Sequence, residues 1–340
     1  MGKFFAVLVL SFIIIFIINA VWSIWNFYVF VNEGIQTLFV GKTFGENIIF
    51  SIYFKWILLI DAVWWVFLFI YLKFTSDKTN NFVNYLTNEP IKEPKICFVT
   101  FTYNEAAVIE SILQDLKSQK YVTDVIVVDN HSTDSTVEIA EKNGAKVITK
   151  EKNMGLPHSW VLGQKEALKT EANIIVIIEA DGTCTGKDIE KMLPYLDHCD
   201  TIITTRQEQV LTEKGNQNNT MHTWGNYIIA SFLQLKFFNF KHRGLVHFND
   251  AACIYRCFRR DALEKVVETY ENKKTGKLSY GVREPTTGIF TTCKSIECGL
   301  RIIQLPITFK KRIGISKSGA EKKDVAFKFG LDFIWFLIRS

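Results

Sequence analysis

The stretch Ile174-Ile175-Val176-Ile177-Ile178-Glu179-Ala180-Asp181-Gly182 governs how the rest of the chain is read. An apolar run of strand length ends abruptly in two carboxylates one residue apart. Residues i and i+2 of a strand point to the same side, so Glu179 and Asp181 can converge. In open α/β sheets, ligands bind at the carboxyl ends of the strands. Two converging carboxylates repel unless a cation lies between them. The natural cation is a hard divalent ion that bridges to phosphates. A strand that ends in a solvated acidic turn has the same local pattern, so the flanking sequence must decide.

On both sides of this stretch, strands and helices alternate. Ile96–Thr102 reads as a strand, and Asn104 as the cap of a helix whose apolar residues Val108, Ile109, Ile112, Leu113 and Leu116 keep helical spacing. Asp124–Asp129 reads as a second strand, Thr133–Lys142 as a helix stopped by Gly144, and Lys146–Thr149 as a short strand. Ser159–Lys169 and Gly186–Leu196 are the helices on either side of the Asn173–Glu179 strand, with Thr185 and Asp188 at capping-box spacing. Thr201–Thr205 is a further strand. The alternation predicts an α/β domain with a doubly wound, mostly parallel sheet, over residues 95–320. After residue 206 the pattern changes. Gln207–Thr223 is polar and predicts a mobile loop. Trp224–Phe240 is apolar and aromatic, which suits a membrane face, an acceptor site or the core. Val325–Ile338, within a tail of residues 321–340, predicts an amphipathic helix lying at a membrane interface.

The amino end differs in kind. From Phe4 to Val31 there is no charged residue, longer than the ~20 residues that span a bilayer. A second apolar block, Ile48 to Phe74, is interrupted by Lys55 and Asp61, with Lys73 near its end. Lys55 can snorkel, whereas Asp61 should face a partner rather than lipid. Residues 1–75 thus predict a transmembrane helical hairpin, joined by a juxtamembrane linker, residues 76–94. Lys3, Lys73 and Lys78 flank the hairpin, while its loop carries Glu33, Lys42 and Glu46. The positive-inside rule then predicts a multi-pass protein whose catalytic domain faces the cytoplasm. The membrane would be the plasma membrane of a prokaryote or the endoplasmic reticulum. The net charge of +5 includes no basic run suited to nucleic acid, so no nucleic-acid partner is expected. Seven cysteines without a C-x-x-C pair read as thiols in a reducing compartment.

Three segments lie at predicted strand ends: Val99-Thr100-Phe101-Thr102-Tyr103-Asn104-Glu105, Val127-Val128-Asp129-Asn130-His131-Ser132-Thr133-Asp134, and Glu179-Ala180-Asp181. Their order resembles the P-T-Y-N-E, V-V-D-D-x-S-x-D and D-A-D segments of family 2 glycosyltransferases, which have the GT-A fold of nucleotide-diphospho-sugar transferases. Further on, Asp250-Ala251-Ala252-Cys253-Ile254-Tyr255-Arg256-Cys257-Phe258-Arg259-Arg260-Asp261-Ala262-Leu263 is similar to the D-x-x-x-G-F-R-x-x-R-R-x-A-L segment of polyprenyl-phosphate glycosyltransferases. Gly299-Leu300-Arg301-Ile302-Ile303-Gln304-Leu305-Pro306-Ile307, followed by Arg312-Ile313-Gly314-Ile315-Ser316-Lys317, is similar to their G-x-R-I-x-E-V-P-I and R-x-x-G-x-S-K. The nearest likeness is to dolichol-phosphate mannosyltransferases.

The resemblance implies a site and a reaction. Phe101, Tyr103, Glu105, Asp129, Asn130, Asp181 and Arg206 would bind the donor, a GDP- or UDP-hexose. Phe101 stands at the usual Pro and would pack on the base; Asn130 stands at the usual second Asp, so the base is left open. Glu179 and Asp181 would hold Mg²⁺ or Mn²⁺. Asp250, Arg256, Arg312 and Lys317 are the catalytic candidates, with Asp250 either a general base or the ion-pair partner of Arg256. The acceptor would be a lipid phosphate or, alternatively, a glycan. A chain of this fold that has lost activity and acts as a membrane scaffold is the reading from another class. Two departures stand out. Gln304 replaces the usual Glu, and no arginine lies between Arg206 and Arg243, which leaves Lys214, His222 and Lys236 as surface cations.

Overall fold

A computed structural model describes residues 2–40, 52–76, 89–213, 220–238, 248–271, 278, 282–313, 319 and 322–340. The chain divides into two compact units, one built on residues 1–78 and the other on most of the remainder.

In the first unit, helix α1 (Gly2–Val40) packs beside helix α2 (Ile52–Ser76). Within them, Val7–Val29 and Lys55–Phe74 are long and apolar enough to cross a membrane. Most of their large apolar side chains are exposed, including Phe16, Ile24, Trp25 and Trp65. Polar groups are spent between the helices. Asn19 Nδ2 donates to Asp61 at 3.2 Å, and Trp64 Nε1 donates to Ser11 Oγ at 3.1 Å. Asp61 therefore faces a partner, as its position in the apolar block predicts. The loop with Lys42 and Glu46 lies outside the described residues, as does Lys78 together with most of the expected linker.

The second unit is built on a seven-stranded sheet. Its strands are β1 (Ile96–Thr102), β2 (Val122–Asp129), β3 (Lys146–Thr149), β4 (Ile174–Glu179), β5 (Thr201–Thr205), β6 (Arg256–Arg259) and β7 (Ile302–Pro306), ordered β3-β2-β1-β4-β6-β5-β7. All neighbours are parallel except β6, which is antiparallel to β4 and β5. The sheet is thus mixed but mostly parallel, in agreement with the fold class expected of the alternating pattern. The helices are α3 (Ile109–Ser118), α4 (Thr136–Lys142), α5 (Leu156–Ala167), α6 (Ile189–Met192), α7 (Thr220–Lys236), α8 (Arg260–Val267), α9 (Thr287–Glu297) and α10 (Lys323–Arg339). Cys97, Val99, Ile126 and Val128 pack with Trp160 of α5 on one face of the sheet. Ile96, Phe98, Val125 and Val127 pack with Leu113 and Leu116 of α3 on the other. Burial on both faces explains why these strands read as continuous apolar runs.

Register sets the site. Thr102 of β1 pairs with Asp129 of β2, and Phe101 with Glu179 of β4. The carboxyl ends of three strands therefore finish level. Because β6 runs the other way, the chain that enters it, residues 248–255, arrives at this same edge. That arrival brings Asp250 to the crevice, and the alternating pattern alone does not foresee it.

Several local expectations need correction. Asn104 does not cap a helix. It sits at φ 54° in the turn after β1, and α3 begins only at Ile109. Its side chain instead accepts from Thr133 N at 2.8 Å, which ties the β1 turn to the β2 turn. The Gly186–Leu196 segment is broken into 3₁₀ and α turns around Pro194. Thr185 caps it by accepting from Lys187 N, while Asp188 accepts from Thr308 N at 2.9 Å. Gly144 at φ 69° closes α4 as expected. Of the polar segment 207–223, residues 214–219 lie outside the described residues.

Candidate active site

The end of β4 carries the densest charge. Asp181 is buried; its Oδ1 accepts from Thr183 N at 3.0 Å and Thr183 Oγ1 at 2.6 Å. Its Oδ2 lies 2.9 Å from Arg312 Nη1, and Arg312 Nη2 donates to Glu105 Oε1 at 3.3 Å. One guanidinium thus joins the turn after β1 to the turn after β4. Glu179 is half-buried beside these groups. Burial and then the Asp181 charge push its carboxyl up to about 7, against the opposing pull of Arg206 and Arg312.

Behind this cluster lies a second pair. Arg206, just past β5, makes a bidentate contact with Asp250, Nε to Oδ2 at 2.8 Å and Nη2 to Oδ1 at 3.0 Å. The backbone N–H of Arg206 and of Ala252 also donate to this carboxylate. Burial alone would raise the Asp250 carboxyl, but Arg206 outweighs it and holds the group below the usual carboxylate range. Gln304 Nε2 donates to Asp250 O at 2.7 Å, while Gln304 Oε1 accepts from Asn249 N at 2.9 Å. An amide can do both at once and a carboxylate cannot, which accounts for Gln at this position.

These contacts correct two expectations. The ion-pair partner of Asp250 is Arg206, not Arg256. A fully buried carboxylate with both oxygens engaged and its pKa lowered is poorly suited to act as a general base. Arg256 is itself fully buried. It donates to Cys253 O, Ala251 O and Thr292 Oγ1, so it braces the 251–253 turn against α9 rather than meeting the reacting atoms.

The donor-side residues divide likewise. Tyr103 is exposed at the crevice. Asp129 is buried, and its carboxylate accepts from Thr102 Oγ1 at 3.0 Å and from Ser132 N at 2.8 Å, so it organises the β2 turn. Asn130 Nδ2 donates to Asn153 Oδ1 at 2.7 Å, and its Oδ1 accepts from Met154 N. Phe101 points with Val99 to the α5 face, where its ring centroid lies 5.4 Å from that of Trp160. It is half-buried and packs against the core on that face. Lys317 lies outside the described residues, as does Lys214. Lys236 is not a surface cation. It is buried and donates to Leu337 O at 2.9 Å, which joins the carboxyl ends of α7 and α10.

The sequence reading missed Lys150 at the end of β3. It is buried, donates to Ser159 Oγ at 2.6 Å, and burial pulls its ammonium down to about 8, with Asp129 opposing. A lysine that follows a four-residue strand carries no signal of this in the sequence. All seven cysteines are free; six are buried and Cys298 is half-buried, as the spacing suggested.

Residues 97–267 match the sequence profile of Glycosyl transferase family 2. The chain belongs to that family. Among its relatives is the glycosyltransferase AglJ of Haloferax volcanii, 26% identical over 221 residues, covering 64% of this chain and 63% of AglJ. The undecaprenyl-phosphate mannosyltransferase of Micrococcus luteus is 25% identical over 228 residues, covering 64% of this chain and 84% of that protein. Among solved structures, the glucosyl-3-phosphoglycerate synthase of Mycobacterium tuberculosis, in complex with Mn²⁺, UDP-glucose and phosphoglyceric acid, aligns with a TM-score of 0.48 at 16% identity. The alignment covers 72% of this chain and 79% of that one. The chain spans less than two thirds of the length of the first relatives it matches, AglJ among them.

For a family 2 glycosyltransferase the question is how a divalent ion fits. Among the described residues, no three His, Cys, Asp or Glu side chains converge to hold one. Among the described residues, Glu179 and Asp181 are the carboxylates at the end of β4 that would hold such an ion. Mg²⁺ and related ions are often held by one or two carboxylates and complete their shell with substrate phosphates and water. Four carboxylates (Glu105, Glu179, Asp181, Asp250) face two guanidiniums (Arg206, Arg312), which leaves two formal negative charges when all are ionised. These residues fit an ion that arrives with a diphosphate better than a resident one.

Proposed function

We propose that this protein is a membrane-anchored, inverting glycosyltransferase that moves a hexose from a sugar nucleotide to a lipid phosphate. The observation that carries the reading is the Glu179–Asp181 pair at the end of β4, excess in negative charge and flanked by Arg312. Such a pair suits a diphosphate delivered with Mg²⁺ or Mn²⁺, held by Asp181 and Glu179. The bound ion would neutralise charge on the departing nucleoside diphosphate. Arg312, with Lys317 on the same loop, would donate charge-assisted hydrogen bonds to the same phosphates. Tyr103, Asp129 and Asn130 line or support the nucleoside side of the crevice.

Three features support a lipid-phosphate acceptor. A phosphate is already an anion and needs no general base, and the carboxylate expected to be that base, Asp250, is locked to Arg206. One relative is an undecaprenyl-phosphate mannosyltransferase. The chain also carries two helices apolar enough to anchor it at a bilayer, where such an acceptor resides. Trp224, Tyr227 and Ile228 on α7 are exposed, and so are Phe327, Leu331 and Trp335 on α10. Spaced along helical faces, they suit an interfacial position for the carboxyl-terminal segment. The charge bias of the hairpin supports a catalytic domain on the cytoplasmic side. A cysteine replacing Lys42 should then be labelled only from the opposite face.

The test is transfer by membranes that carry the chain, using a panel of UDP- and GDP-hexoses with polyprenyl phosphate. One donor should yield a lipid-linked sugar, and EDTA should stop the reaction. Transfer to added glycan but not to polyprenyl phosphate would overturn the acceptor. Neither hydrolysis nor transfer of any donor would favour the inactive scaffold.

A further inference from the structure

The Arg312 guanidinium lies against Asp181, the carboxylate to which the reading above assigns a divalent cation. Its Nη1 faces Asp181 Oδ2 at 2.9 Å, on the carboxylate oxygen that Thr183 leaves open. The contact is maintained by the backbone. Lys310 N donates to Thr183 O at 2.7 Å, and Ile313 N donates to Asp181 O at 3.1 Å. Gly182, at φ 76°, lets the Ile313 side chain close over the turn; a Cβ there would come within 2.9 Å of Ile313 Cδ1. Residues 310–313 thus form a strap across the end of β4.

The strap leaves its cation incompletely satisfied. Arg312 Nε is buried and has no hydrogen-bond partner. The two amino groups reach single oxygens of two different carboxylates, Asp181 and Glu105. A guanidinium binds best through a two-pronged fork, which a phosphate offers and this arrangement does not. Lys310, Lys311 and Ile313 of the strap are exposed, while the Arg312 side chain is 18% exposed.

We propose that, before donor binds, Arg312 stands in for the divalent cation at Asp181, and that it moves onto the diphosphate when ion and donor arrive together. The inference rests on the metal-dependent reading above and adds a linkage to it. An ion alone must displace a guanidinium and so binds weakly. An ion with a nucleoside diphosphate supplies the displaced guanidinium with a better partner. Ion and nucleotide then bind with positive coupling, which works in both directions. The arrangement also offsets part of the charge of the acidic cluster between turnovers.

The test measures Mn²⁺ binding by the electron paramagnetic resonance signal of the free ion, on the full chain in detergent, with and without UDP or GDP. Wild type should bind Mn²⁺ weakly alone and more tightly with one nucleotide. Arg312→Ala should bind Mn²⁺ alone roughly five- to fiftyfold more tightly, within the usual range of coupling between sites. The same variant should bind Mn²⁺ less tightly than wild type once nucleotide is present. This reversal of sign separates the proposal from a plain loss of positive charge, which would strengthen Mn²⁺ binding in both conditions. Adding Asp181→Asn should cancel the gain. Arg312→Gln serves as the second variant if Arg312→Ala lowers the melting temperature. If Arg312→Ala binds Mn²⁺ alone no more tightly, while wild type still binds it with nucleotide, the stand-in role is wrong and the metal reading survives. Absence of Mn²⁺ binding by wild type under every condition would overturn both.

Discussion

Two aspartate–arginine pairs share one crevice, and they are built for opposite purposes. Asp250 and Arg206 meet through two parallel hydrogen bonds, with two backbone N–H groups completing the carboxylate. Asp181 and Arg312 meet through one contact, with the guanidinium shared with Glu105 and its Nε left unpaired. The first pair joins the ends of β5 and the segment that enters β6. The second joins a strand end to a strap. The comparison teaches that an Asp–Arg pair in a site is not by itself a catalytic signature. What separates a brace from an exchangeable contact is how completely each partner is satisfied.

The largest effects should come from the brace. Arg206→Ala would leave Asp250 buried without its counter-ion, and breaking a buried pair in this way costs about 3–5 kcal/mol. Melting of the detergent-solubilised chain should show a loss of that order. Replacing both partners by apolar residues, Asp250→Leu with Arg206→Met, should restore much of it, because no uncompensated charge remains. Arg312→Ala should cost far less stability. If Arg206→Ala and Arg312→Ala melt alike, the distinction between the two pairs collapses.

The next effect falls on chemistry rather than stability. Asp181→Ala should reduce transfer to below a few per cent of wild type, even in saturating Mn²⁺. That corresponds to about 2 kcal/mol or more of transition-state stabilisation. The fold should survive, since the Asp181 side chain gives up contacts to Thr183 and Arg312, and Arg312 keeps its contact with Glu105. Transfer by this variant at more than a few per cent would remove Asp181 from the metal. Glu179→Asp, which restores the family's usual residue, should be tolerated.

How much of this was legible in the sequence depended on whether the cause was local. Strands β1, β2 and β4 carry apolar runs because both faces are covered, so they could be read directly, as could the acidic ends of β2 and β4. Strand β6 is four residues, Arg256 to Arg259, with arginines at both ends, and gives no apolar signal. Its antiparallel entry is what delivers Asp250, so the true partner of that carboxylate could not be read from spacing. Arg256 lies closer to Asp250 in sequence than Arg206 does, yet its side chain turns to Thr292. Asn104 has the composition of a helix cap, but the turn uses its amide to hold Thr133. Phe101 alternates with Thr100 and Thr102 along β1, and it was the sheet face, not the motif, that fixed where its ring went.

The most diagnostic effect concerns Glu179, and it appears only as pH rises. Burial and the neighbouring Asp181 raise its carboxyl from 4.5 to about 7 in the folded protein. A raised value means that the folded state holds a proton the unfolded state releases. Between these two values the folded state binds more protons, so stability falls as pH rises. Below about pH 4.5 the group is neutral in both states and costs little as a charge; above about pH 7 the full cost of burying the carboxylate is present. Glu179→Gln removes that term. In EDTA, the variant should melt close to wild type near about pH 5 and above it near about pH 8.5. With Mn²⁺ and the preferred nucleotide the order at high pH should reverse, because the carboxylate then has a cation to hold. The comparison of the two pairs is sharpened by a control. Asp250 has its pKa lowered by Arg206, so Asp250→Asn should be most damaging where the carboxylate is ionised and least damaging in acid. If the melting difference between Glu179→Gln and wild type stays constant from acid to alkaline pH, Glu179 does not carry the strained charge assigned to it, and the end of β4 is less acidic than a metal site requires.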